Sequence, residues 1–145
     1  TYTSRDTGIS FTYPTSWGVK ENVMSAIVVF IKDDGSNVNL VLQNMSSLSS
    51  GKNMTLKEFV DTGIAEIILA FKNVSVNETE HTVFKGYDAY NVAYSGDFNG
   101  NILRWEQVLF RRGDTVYTLT FTSFPEKTDA DRAEARKIMD SINIK

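Results

Sequence analysis

Residues 86–124, GYDAYNVAYSGDFNGNILRWEQVLFRRGDTVYTLTFTSF, hold three consecutive strand-like segments: YDAYNVAYSG, NILRWEQVLFRR and TVYTLTFTSF. DFNG separates the first two, and a tight Arg-Gly-Asp corner separates the second from the third. In the middle segment Leu103, Trp105 and Leu109 fall on one face and Ile102, Val108 and Phe110 on the other. Apolar residues on both faces mark a central strand covered from both sides. In the third, Tyr117, Leu119 and Phe121 share one face and Thr118, Thr120 and Thr122 the other. This meander predicts the middle of an antiparallel sheet, against which the rest of the chain is read.

Upstream, residues 8–14 alternate, with Ile9, Phe11 and Tyr13 on one face, and predict a half-buried strand that Pro14 stops. Trp17-Gly18 follows as a turn, its indole placed to plug one end of the core. Residues 24–32 are apolar on both faces and predict an interior strand. Residues 33–37, Asp-Asp-Gly-Ser-Asn, are turn chemistry, and residues 38–45 resume the alternation with Val38, Leu40 and Leu42 inward. A polar loop over 45–53 ends where the period changes. Leu56, Phe59, Val60, Ile64, Ile67, Ile68 and Phe71 recur at the spacing of one helix face. Thr55 with Glu58 three residues on is a capping box that starts this helix. Gly63, inside it, reads as a point of close packing against the sheet. Residues 74–84 are polar enough for an edge strand, and Lys85-Gly86 turns the chain into the meander. After Pro125, Thr128 and Asp131 are candidate caps for a last helix with the stripe Ala135, Ile138, Met139 and Ile142. The predicted class is α+β, in the order β-β-β-α-β-β-β-β-α, with helices packed on an antiparallel sheet in one domain spanning 1–145.

With 145 residues the chain is long enough for a proper core without metal or disulfide staples. The net charge of −3 argues against general nucleic-acid binding, which draws its affinity from a basic face. The absence of cysteine excludes thiol catalysis, disulfides and cysteine-based metal centres. The longest apolar run, residues 26–31, falls far short of the roughly 18 residues needed to span a bilayer. No membrane insertion by this domain is expected, and no cofactor. The first residue is Thr1, with no initiator Met and no signal-like run, which reads as a processed or trimmed start. Loops rich in Asn, Ser and Thr lean toward export, and sequons stand at Asn44, Asn53, Asn73 and Asn77.

Residues able to carry chemistry are few. His81 is the only histidine; Glu78 and Glu80 are its nearest acidic neighbours in sequence but fall on the opposite strand face, so it reads as a solvated edge-strand residue. A hydrolase would need His81 joined to a carboxylate and a hydroxyl in a cleft, and no nucleophile elbow is present. Asp97, Asn99 and Asn101 spell the start of a calcium loop, but Ile102 stands where its glycine belongs and Val108 where its final Glu belongs. The segment reads instead as a four- or five-residue hairpin connection. Arg112-Gly113-Asp114 spells the integrin-recognition tripeptide at a second hairpin tip, where Gly-Asp is ordinary turn chemistry.

The opening GISFTYPTSW resembles the start of PsbP-like domains, and the ending resembles theirs too: a long hairpin, GNILRWEQVLFRRGDTVYTLTFTSF, then a charged helix with ARKIMDSINI. The resemblance implies an α/β/α sandwich around an antiparallel sheet, a fold shared with an oxygen-evolving-complex subunit of photosystem II, Mog-type Ran-binding proteins and exported prokaryotic lipoproteins. The chain shows neither the extended N-terminal segment of the plant subunit nor its metal-binding histidines, which points to the exported branch. The expectation is therefore a non-enzymatic accessory domain outside the cytoplasm, tethered to the outer face of the membrane by a lipid-anchored segment upstream, that binds an unknown protein partner. Its candidate contact surfaces are the 45–53 loop and the residues Trp17, Asp97, Asn99, Asn101, Arg112 and Asp114. The alternatives are a small-ligand or metal-binding domain with a cleft between the first helix and the sheet near Trp17, and the hydrolase above.

Overall fold

In the computed structural model, which describes residues 1–45 and 54–144, the chain runs β1 (Tyr2–Thr3), β2 (Ser10–Phe11), β3 (Trp17–Val23), β4 (Ala26–Lys32), β5 (Asn37–Asn44), α1 (Leu56–Ala70), β6 (Lys72–Phe84), β7 (Tyr87–Phe98), β8 (Asn101–Arg112), β9 (Thr115–Ser123) and α2 (Pro125–Asp140). Strands β3 to β9 form one antiparallel sheet in the order β3-β4-β5-β9-β8-β7-β6. The three segments of the meander are β7, β8 and β9, and β8 and β9 lie in the interior of the sheet, as the two-sided apolar pattern of β8 requires.

Helix α2 covers one face. Its stripe Ala135, Ile138, Met139 and Ile142 is buried against Phe30, Leu40, Val108, Phe110 and Leu119. Helix α1 covers part of the other face, where Leu56 and Val60 pack with Val92, Tyr94, Trp105 and Leu109. The α1 capping box forms as the sequence demands: Glu58 N donates to Thr55 Oγ1 at 3.1 Å, and Thr55 N to Glu58 Oε1 at 3.1 Å.

Several expectations need correction. The stretch over 8–14 does not join the main sheet; β2 pairs with β1, Ser10 bridges to Asn143 beyond α2, and Phe11 and Tyr13 lay their rings on Phe30, at 5.1 and 5.2 Å. Alternation alone says which side chains face inward, not whether the backbone finds a strand partner. The third strand of the sheet upstream of α1 is β3, of which only Trp17-Gly18 has a reading from sequence, as a turn. It is an edge strand, so only Trp17 of its seven residues is fully buried and most of the others are exposed. The last helix is capped at Phe124, with Pro125 in its first turn; Thr128 and Asp131 are buried within it instead. Within α1, Ile68 is exposed despite its place in the apolar stripe. Gly63 has no close neighbour: a Cβ built there meets no atom within 4 Å. The close approach is made by Gly96, where a Cβ would stand 3.3 Å from Val74 Cγ2 and 3.5 Å from the Lys72 carbonyl.

The connection between β7 and β8 is a two-residue turn, shorter than expected. Asn99 and Gly100 both have positive φ, 53° and 86°, which is the conformation of a type I′ hairpin and the reason Asn-Gly suits it.

Candidate functional site

The sequence-derived surface residues separate into three places. Trp17 is not a surface residue. It is 2 % exposed in the α2-side core, and its Nε1 donates to Glu134 Oε2 at 3.4 Å. The indole is thus part of a polar clamp that holds α2 to the β4–β5 corner. Lys32 Nζ donates to Asp131 Oδ1 at 2.7 Å and to Glu134 Oε1 at 3.1 Å, and the buried Ser36 Oγ donates to Asp131 Oδ2 at 2.8 Å. Burial works to raise the Asp131 carboxyl, but hydrogen bonds with Asp34, Lys32 and Ser36 outweigh it and hold the group below the ordinary carboxylate range. Glu134 is held down mainly by Lys32. On the same face Arg132 reaches the largely buried Glu106 of β8, with NH2 to Oε2 at 2.9 Å.

Arg112 and Asp114 flank the β8–β9 turn, where Gly113 has φ of 61°. The Asp114 carbonyl accepts from Met45 N at 2.6 Å, and its neighbour Arg111 donates from NH1 to the Met54 carbonyl at 3.0 Å. These contacts brace the two described ends of the 45–53 loop, whose other residues lie outside the described part of the chain. Asp97, Asn99 and Asn101 sit at the opposite end of β8. Twelve residues of strand separate the two tips, about 35–40 Å at the usual rise per residue. The fold therefore does not bring the candidate residues into one site.

The end of the molecule at the β7–β8 tip has features that the polar residues there do not reveal. Asp97 Oδ1 accepts from Gly100 N at 3.0 Å and serves the turn. Phe98, on the α1 side of the hairpin, packs its ring edge-on to Phe71 at 5.6 Å. Phe71 stacks on Trp105 at 5.2 Å, and Trp105 stacks on the buried Tyr94 at 5.0 Å. Burial pushes the Tyr94 phenol up to about 12, so this base of the aromatic row stays neutral. The row thus runs from the core to a ring that is 46 % exposed. Leu69, in the last turn of α1, is 87 % exposed, and Ile102, opposite Asp97 on the other face of the hairpin, is 61 % exposed. A depression of about 380 Å³ beside Phe98 is bounded by Ala70, Phe71, Lys72, Asp97, Asn99 and Gly100. Sequence reasoning named Asp97, Asn99 and Asn101 and passed over Phe98 between them.

A smaller groove lies between α1 and the sheet, bordered by Phe59, Gly63, Ile64, Val92, Gln107 and Leu109, with a volume of about 140 Å³. It matches the expected position of a ligand cleft except that Trp17 lies on the other face of the sheet. His81 pairs with Asp88, and its ring lies 5.0 Å from that of Tyr90. The pair stands exposed on β6 and β7 instead of in a cleft. Among the described residues no three His, Cys, Asp or Glu side chains come together to hold a metal, and no helix is long and apolar enough to cross a membrane.

A family model described as PsbP-like protein matches residues 1–144. Among solved structures, cyanobacterial PsbP (CyanoP) from Synechocystis sp. PCC 6803 is similar with a TM-score of 0.70 at 15 % identity, covering 99 % of this chain and 91 % of its own. LpqN of Mycobacterium tuberculosis, described as involved in cell envelope biogenesis, gives 0.71 at 12 % identity, with 94 % and 82 % covered. PA94 of Pseudomonas aeruginosa, a protein of unknown function, gives 0.68 at 13 %, with 98 % and 86 % covered. At these identities the likeness is one of fold. No curated protein matches the chain in sequence.

Proposed function

The chain belongs to the PsbP-like family, and from that premise we propose that it is a non-enzymatic accessory domain that works outside the cytoplasm by docking a protein partner. The docking surface is the end of the molecule formed by the β7–β8 tip and the last turn of α1. The observation that carries this reading is the aromatic row ending in Phe98. A large ring held at the surface by stacked neighbours exposes apolar area without the freedom that binding would otherwise have to remove. Leu69 adds exposed apolar surface, and Lys72 and Asp97 supply a polar rim, the arrangement of an interface anchor. Tethering to the outer face of a membrane through a lipid-anchored upstream segment belongs to the same reading, which draws on the family and on the Asn/Ser/Thr-rich loops.

The competing small-ligand reading fits the groove beside α1 less well. Its volume of about 140 Å³ is below the roughly 300 Å³ at which ordinary ligand pockets begin. Affinity purification of the tagged protein from its native cells, beside a Phe98→Ser/Leu69→Ser variant, tests the proposal. The expected result is a defined co-purifying protein lost from the variant, which stays folded and melts only a few degrees lower. Identical recoveries from the two would contradict the proposal.

A further inference from the structure

Among the described residues β6 is the outermost strand on its side of the sheet and is hydrogen-bonded to β7 alone, so the backbone groups of its outer edge meet no described strand. Its first half is guarded by register shifts between Lys72 and Ser75 and between Val76 and Glu78. From Glu78, opposite Ala93, to Phe84, opposite Tyr87, the pairing runs one residue to one residue, with no bulge and no proline. That is a regular open edge about 20 Å long, the length of an ordinary strand. Glu78 and Glu80 project from one face, exposed, and make no hydrogen bond or ion pair among the described residues. On the other face Val83 is 68 % exposed next to His81.

We propose that this edge accepts an extended, basic segment of a partner protein by strand addition. The segment's Lys or Arg side chains lie opposite Glu78 and Glu80, and its alternate, apolar side chains lie beside Val83. Backbone hydrogen bonding attaches the segment, and the two carboxylates select its charge. The same carboxylates disfavour a second copy of this chain. Antiparallel self-pairing would line both copies' Glu78 and Glu80 along one seam, in a chain that already carries −3. The proposal rests on the reading of the chain as a protein-binding domain but uses a surface separate from the Phe98 end.

Residue-resolved amide hydrogen exchange with a seven-residue peptide of alternating Lys and Val tests it. At saturating peptide, alternate amides within residues 78–84 should exchange about tenfold or more slowly. A peptide with Glu in place of Lys should give no protection, and the Glu78→Lys/Glu80→Lys variant should reverse the preference. Phe98→Ser should leave the protection intact, so a failed hairpin interface and a failed edge site give different results. Three outcomes would overturn the proposal. They are binding without slowed exchange over 78–84, equal protection by the acidic peptide, and protection that rises with protein concentration when no peptide is present.

Discussion

The ring of Phe98 at the β7–β8 tip meets the ring of Phe71, the residue that ends α1, at 5.6 Å and an interplanar angle of 69°. Through this contact the hairpin tip and the helix end form one surface. Phe71 is in turn fixed by Trp105. Replacing Phe98 by Ser removes one edge-on aromatic contact at a half-exposed position. The expected loss of stability is about 1 kcal/mol, in line with a single aromatic pair, and Ile102→Ser should cost less than that because Ile102 is mostly exposed. Urea unfolding checks both. A loss several times larger would mean that the tip is part of the core and not an interface.

Gly63→Ala should stabilise the protein. Glycine inside a helix is about 1 kcal/mol less favourable than alanine, and here a Cβ meets nothing within 4 Å. The melting temperature should rise by about 2–4 °C, and thermal denaturation followed by circular dichroism measures it. A fall would mean that α1 lies closer to the sheet than its groove implies.

Gly96→Val should act in the opposite sense. Its Cβ would stand 3.3 Å from Val74 Cγ2 and 3.5 Å from the Lys72 carbonyl, where β6 and the end of α1 close on β7. Overpacking of this kind costs about 1–3 kcal/mol, and chemical denaturation would show it as an unchanged slope with a lower midpoint.

Acid stability should depend on Asp131. Its carboxyl is held below the usual range in the folded protein despite burial, through hydrogen bonds with Asp34, Lys32 and Ser36. A depressed folded-state value adds stability that is fully present above the unfolded-state value of about 3.9 and is lost as pH falls through the folded value. Asp131→Asn should therefore destabilise at neutral pH by about 3 kcal/mol, the cost of breaking a buried pair. The gap between variant and wild type should narrow below about pH 4. Unfolding curves collected from neutral pH down to about pH 2 test this; a gap that does not change with pH would show that the loss is one of packing and not of charge.

The parts of the fold that show in the sequence are those where local pattern and tertiary role agree. The two-faced apolar pattern of β8, the Thr55–Glu58 capping box and the stripe of α2 all do the work their pattern implies. β3 escapes because an edge strand with one fully buried side chain has the composition of a turn. Phe11 faces inward as its alternation says, yet its strand pairs with β1 and bridges Asn143 without joining the main sheet, since inward direction does not specify a partner. The candidate site was partly readable. The polar residues of the β7–β8 tip mark a turn, but period-two alternation gives Phe98 only a face. That its face extends past the last turn of α1 and into solvent depends on where the helix stops.

Site-specific photo-crosslinking from position 98 tests the central claim most directly. A benzoylphenylalanine placed there in the full-length protein, activated in its native cells, should join one defined protein. The same group at Lys57, exposed in the first turn of α1 at the far end of the helix from Leu69, should not. A single adduct from position 98 alone is the predicted result. No adduct from position 98, or the same products from both positions, would contradict it.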